Sequence, residues 1–211
     1  MREWNDLLAI ADRLLGPQGC PWDREQTLFT LQPYLLEEVH ELIEAIDSLE
    51  GQKISEELGD VFYALVFVAK LGEKEEKFSL SDALRLVSEK LIRRHPHVFG
   101  DVKAETSEEI VHNWEQIKQT EFKERKHILD GIPSSLPSLA RAQKMIVKMK
   151  RAGKVFDSPS FESEEELGEA FWELLAAAEA KGWNAEDLVR RTVSRHEKAF
   201  REKNTGDEPV A

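Results

Sequence analysis

Tyr34-Leu35-Leu36-Glu37-Glu38-Val39-His40-Glu41-Leu42-Ile43 and Ile54-Ser55-Glu56-Glu57-Leu58-Gly59-Asp60-Val61 decide the reading of this chain. In the first stretch Leu35, Val39, Leu42 and Ile46 recur at helical spacing, and in the second Ile54, Leu58, Val61, Leu65 and Val68 do the same. At about 100° per residue, Glu38 and Glu41 fall together on one flank of their apolar stripe, and Glu57 and Asp60 fall on the same flank of theirs. The offset is 19 residues in both cases, from Glu38 to Glu57 and from Glu41 to Asp60. Two helices packed antiparallel through these stripes bring four carboxylates together at the rim. Like charges so placed repel unless a cation or protons intervene. An all-oxygen donor set suits a hard ion, Mg²⁺, Mn²⁺ or Ca²⁺, over softer metals. On composition alone such an acidic face is more often merely solvated, since 33% of the chain is charged; the matched pairs are what favour a metal cage.

Helical periodicity extends outward from these stretches, and no segment alternates as a strand does. The expected fold is all-α. An opening helix spans about Glu3 to Leu15 and stops at Gly16-Pro17, before the loop Gly19-Cys20-Pro21-Trp22-Asp23. The two acidic helices follow, with a turn around Gly51. The run Val61 to Ala69 is apolar on nearly every side, so it needs cover from several directions, and a second subunit is an economical source. Ser81 is expected to cap a helix that runs to Arg94 before Pro96, and Thr106-x-x-Glu109 is a capping box for a helix to about Lys126. The Gly- and Pro-rich stretch around Asp130 to Pro137 reads as a linker. Three more helices are expected after it, about Ala140 to Ala152, Glu164 to Ala180 and Ala185 to Lys203. The organisation is therefore a first helical half at 1–126 that carries the acidic pairs, a linker at 127–139, a second half at 140–203 and a polar tail at 204–211.

The second half carries an imperfect copy of the first. Glu56-Glu57-Leu58-Gly59-Asp60-Val61-Phe62-Tyr63 aligns with Glu165-Glu166-Leu167-Gly168-Glu169-Ala170-Phe171-Trp172, but nothing in the second half matches Glu37 to Glu41. Half a cage does not hold a metal, so the second half is read as structural.

Composition narrows the function. The net charge of −12 over 211 residues disfavours long nucleic acids and anionic membrane as partners. A small phosphorylated ligand fits, because divalent ions bridge its oxygens to carboxylates. The amphipathic start and the shortness of the apolar run argue against a secretory leader or a membrane span, and a cytoplasmic protein is expected. Cys20 is the single cysteine, so no disulfide forms within the chain.

Gly19-Cys20-Pro21-Trp22-Asp23-Arg24-Glu25-Gln26-Thr27, Tyr34 to Glu38, Glu56 to Asp60 and Arg93-Arg94-His95-Pro96-His97-Val98-Phe99, in this order, resemble the MazG family of nucleoside triphosphate pyrophosphohydrolases. Trp114 to Lys118 and the run from Ser135 to Lys144 fit it too. The resemblance implies an all-α MazG-like bundle whose core is completed by homodimerisation. It also implies a Mg²⁺-dependent conversion of a nucleoside triphosphate to monophosphate and pyrophosphate, with Mn²⁺ a substitute ion. By motif position Glu38, Glu41, Glu57 and Asp60 become the metal ligands, the four residues that helical phase had already grouped. Glu37 and Glu56 would lie beside them to orient or deprotonate water. Lys90, Arg93 and Arg94 would contact phosphate, with Lys53 a further candidate; the three also sit where helix-end charge complements the macrodipole. Trp114 would stack on a base or fill the core. The second half departs from relatives with two complete halves, and one active centre per chain is expected.

Two other readings compete. Glu37-x-x-His40 and Glu109-x-x-His112 match an element of di-iron bundles, but His40 lies roughly 100° or more around its helix from Glu38 and Glu41. The other is a catalytically inactive helical dimer serving as a regulatory or nucleotide-binding module.

Overall fold

In a computed structural model, residues 2–103, 106, 109–110, 113–114, 117, 121 and 127–203 are described. Among them there is no strand, and the chain divides into two compact units, 1–117 and 118–211. The tail at 204–211 and most of the helix expected from Thr106 to Lys126, including His112, lie outside the described residues.

The first unit opens with α1, Arg2–Leu15, and the short α2, Pro21–Glu25, which lies where the sequence suggested only a loop. Gly19 makes their junction possible. A Cβ there would lie 2.0 Å from the Leu14 carbonyl oxygen, which already accepts the Cys20 N–H at 2.9 Å. The acidic helices are α3, Gln32–Ser48, and α4, Gly51–Lys74. The reversal between them falls on Leu49 (φ 57°) and Glu50, one residue ahead of the glycine that seemed to mark it. A link of two residues makes the helices antiparallel neighbours, and they form the most extensive helix pair of the unit.

Helix α1 packs on α4 through an edge-to-face contact of Trp4 with Phe62 and an ion pair between Lys70 and Asp12 at 2.8 Å. Leu31, Phe67 and Leu71 form the core, with Leu15, Leu28, Tyr63 and Val68 packed around them. Phe78 closes its far end by laying its ring on Gly72, where a Cβ would come within 2.4 Å of the ring. The chain then enters α5, Leu80–Arg94, followed by the single turn α6, Pro96–Phe99. The cap of α5 is Ser79, two residues before the expected Ser81. Ser79 Oγ accepts the Asp82 N–H, and Asp82 in turn accepts the Ser79 N–H, so both orphan donors are satisfied at once.

The second unit contains α7, Ser138–Arg151, α8, Glu164–Ala180, and α9, Ala185–Lys203. Its core is Leu129, Met145, Met149, Val193 and Phe200. Leu129 lies within the stretch 127–139, so that stretch supplies core rather than merely connecting. Lys148 Nζ donates to the carbonyls of Ile128 at 2.6 Å and Asp130 at 3.1 Å, and Arg201 pairs with Asp130 at 2.8 Å. No described helix is long and apolar enough to cross a membrane.

Candidate metal centre

The α3–α4 hairpin supplies the site. One carboxylate oxygen from each of Glu38, Glu41 and Glu57 can be chosen so that all three lie within 4.8 Å of one another. Among the described residues no other group of three His, Cys, Asp or Glu side chains converges in this way. The imperfect copy in α8, with Glu165, Glu166 and Glu169, is not part of the converging group. Asp60 stands outside the three-residue set. It still lies close enough that its charge is the strongest of those acting on Glu38, whereas Glu41 is the strongest acting on Glu57. The antiparallel register thus pairs Glu38 with Asp60 and Glu41 with Glu57.

The electrostatics of the hairpin are those of uncompensated carboxylates. Desolvation first, then Asp60, Glu41, Glu57 and Glu37, push the Glu38 carboxyl above its ordinary value of 4.5. Desolvation, then Glu41, Asp60, Glu56 and Glu44, do the same to Glu57. Every one of these neighbours is an acid, so the hairpin stores repulsion that either protons or a cation relieves. Glu44 is absent from the sequence-derived set. The signal was available, because Glu44 follows Glu41 by three residues and so continues its flank toward Glu57.

The donor set fits a hard divalent ion. Bonds of about 2.1 Å separate opposite ligands of an octahedral ion by roughly 4.2 Å, and the longer bonds to Ca²⁺ separate them by roughly 5 Å. Oxygens within 4.8 Å of one another match the scale of both spans. Glu37 and Glu56, each adjacent in sequence to a member of the cluster, are exposed.

The sequence-derived cations are placed differently from one another. Lys53, one turn before Glu57 on α4, pairs with Glu50 at 2.7 Å. Lys90 and Arg93 are exposed on α5. Arg94 is only 8% exposed and holds its guanidinium carbon 5.7 Å from the centre of the half-buried Trp114 ring, within cation–π range. Beyond it, His95 Nδ1 contacts the Leu91 carbonyl at 2.6 Å, as a helix-terminal group does, and its ring lies 5.6 Å from that of His97. Trp22 meets Tyr34 edge to face at 5.2 Å, and Asp23, next to Trp22 in sequence, is buried.

Known proteins resemble this chain. The profile of the MazG nucleotide pyrophosphohydrolase domain matches residues 26–99, which span α3, α4 and α5. A nucleoside triphosphate pyrophosphohydrolase of Escherichia coli strain K12 is 37% identical over 96% of this chain and 87% of its own length. A protein named nucleoside triphosphate pyrophosphohydrolase/pyrophosphatase MazG from Thermotoga maritima is 39% identical over 79% of this chain and 65% of its own. A solved structure described as a mazG-related protein from Thermotoga maritima aligns with a TM-score of 0.49 at 31% identity, covering 55% of this chain and 98% of that one. Carrying the acidic hairpin inside the matched region, and resembling its relatives along nearly its whole length, the chain belongs to the MazG family.

Proposed function

We propose that the protein hydrolyses nucleoside triphosphates to the monophosphate and pyrophosphate, with Mg²⁺ held by Glu38, Glu41, Glu57 and Asp60. The observation that carries this reading is the convergence of Glu38, Glu41 and Glu57 in a chain whose relatives are named for that activity. When bound, the ion supplies charge neutralisation for the triphosphate and acidifies coordinated water. Mn²⁺ has the same preference for oxygen and substitutes for it.

The chain's own residues supply the rest. Glu37 and Glu56 orient the attacking water, and one of them takes its proton. A bond forms from the water oxygen to the α-phosphorus as the bridging bond to the β-phosphate breaks, and pyrophosphate leaves. Lys90 and Arg93 on α5 screen the phosphates, with Lys53 released from Glu50 to assist. Arg94 holds Trp114 as a platform for the base. Attack at the α-phosphorus rather than the β-phosphorus is the specific content of the proposal. Hydrolysis in H₂¹⁸O tests it: label in the monophosphate supports it, and label in pyrophosphate refutes it. No turnover of any triphosphate with Mg²⁺ or Mn²⁺ favours an inactive nucleotide-binding module instead.

The active form is a homodimer. Leu36, Ile43 and Ile46 on α3 and Phe62 and Leu65 on α4 are each 45–61% exposed in the single chain, on the two helices that build the site. So much apolar surface on neighbouring helices calls for a partner, and a second copy covers like with like. Light scattering on the purified protein gives the mass; a monomer at micromolar concentration refutes this part.

A further inference from the structure

The second unit contains a titratable group that the proposed chemistry does not use. His127 stands at the head of the stretch that leads into α7, with its ring edge-on to Phe200 of α9 at 5.7 Å. The Leu129 N–H donates to His127 Nδ1 at 3.1 Å, which fixes Nδ1 as an acceptor and places the ring proton on Nε2. Nε2 is itself buried, without a hydrogen-bond partner among the described residues. The His127 N–H donates to Asp130 Oδ2 at 3.0 Å, and the Asp130 N–H returns to the His127 carbonyl at 2.9 Å. The imidazole is thus an internal brace of a tight turn whose third residue, Leu129, is 1% exposed in the core of the unit.

A second proton on this ring has no good place. On Nδ1 it confronts the Leu129 N–H, donor against donor. Among the described residues, the charged groups that face the ring are Asp130 of the same turn, Lys148 of α7, and Glu197 and Arg201 of α9. The two acids are already engaged: Asp130 by Arg201, and Glu197 by Arg141 and Arg201. Lys148 and Arg201 oppose the new charge. Burial, followed by Arg201, holds the imidazole below its ordinary value of 6.5.

We propose that His127 is a proton-released latch: its neutral Nε2–H form holds residues 127–130 against α7 and α9, and protonation frees Leu129 from the core. The sign follows from linkage. The unfolded chain takes up the proton more readily than the folded one, so the stability of this unit is full above the unfolded value of about 6.5 and falls as pH drops below it.

The test uses the full chain. Histidine-labelled protein is titrated by NMR, and hydrogen exchange of peptides from 138–151 and 185–203 is followed from about pH 7.5 to about 5.5 after correction for intrinsic rates. The expected result is a His127 midpoint below 6.5, an Nε2–H tautomer at neutral pH, and protection that falls by up to about tenfold per pH unit below 6.5. His127→Asn keeps an acceptor for the Leu129 N–H but takes up no proton, so its protection stays level over the same range. A midpoint at or above 6.5, an Nδ1–H tautomer, or parallel loss of protection in both proteins overturns the proposal. If the variant does not fold, the wild-type NMR titration decides alone.

Discussion

Two glycines of α4 are expected to respond to the same substitution with opposite signs. At Gly72 an added Cβ meets the Phe78 ring at 2.4–2.7 Å, so the ring has to shift. Phe78 is 38% exposed, so about three-fifths of a side chain of roughly 150–250 Å² is at stake, or about 3 kcal/mol at 25 cal/mol per Å² if the ring is expelled. Alanine returns about 1 kcal/mol over glycine inside a helix. Gly72→Ala is therefore expected to cost about 1–2 kcal/mol, less than full expulsion because the ring can swing part-way toward solvent. At Gly59, where nothing lies within 4 Å, only the propensity difference acts, and Gly59→Ala is expected to gain up to about 1 kcal/mol. Urea unfolding of both variants in metal-free buffer measures the pair. The packing of Phe78 on α4 is refuted if Gly72→Ala matches or exceeds the wild type while Gly59→Ala behaves as stated.

Glu41→Gln and Asp60→Asn are each expected to lower metal-dependent turnover by at least about 100-fold with circular dichroism unchanged, more than loss of an outer partner would do; retained turnover in either removes that residue from the ligand set. Because Glu38 and Glu57 hold their protons above the ordinary 4.5, their contribution to the stability of the metal-free first unit is full below that value and is lost as pH rises through their raised range. Saturating Mg²⁺ is expected to reverse that loss, by about 2.7 kcal/mol at 100 times the dissociation constant, and thermal melts with Mg²⁺ or with chelator across pH 4–8 read both effects. Gly19→Ala is expected to lower stability by more than about 2 kcal/mol, because its Cβ would overlap the backbone oxygens of Leu14 and Arg13, and the Leu14 oxygen cannot move without breaking its bond from the Cys20 N–H; a melting temperature equal to wild type contradicts this.

The acidic hairpin was legible because it rests on local rules. Helical phase alone groups Glu38, Glu41 and Glu57 against their stripes, and a short link makes the helices antiparallel. What was not legible depended on partners far along the chain or on choices between similar residues. Ser79 and Ser81 are both good caps by type; Asp82, three residues after Ser79, decides between them by reaching back. Leu49 adopts a left-handed conformation that a nearby glycine seemed better placed to take. Residues 127–139 look like a connector by their Gly and Pro content, but Lys148 and Arg201, 18 and 71 residues from Asp130, pin the turn to the second core. Arg94 reads as one of three equivalent basic residues until Trp114 is seen beneath its guanidinium.

Whether the carboxylates of α3 and α4 hold a divalent ion is tested most directly by titrating Mn²⁺ into metal-free protein and following the free ion by electron paramagnetic resonance. Wild type is expected to bind Mn²⁺ saturably with competition by Mg²⁺, and the Glu38→Gln/Glu57→Gln protein to lose that binding while staying folded. Equal binding by the two proteins would contradict the assignment of the ion to this hairpin.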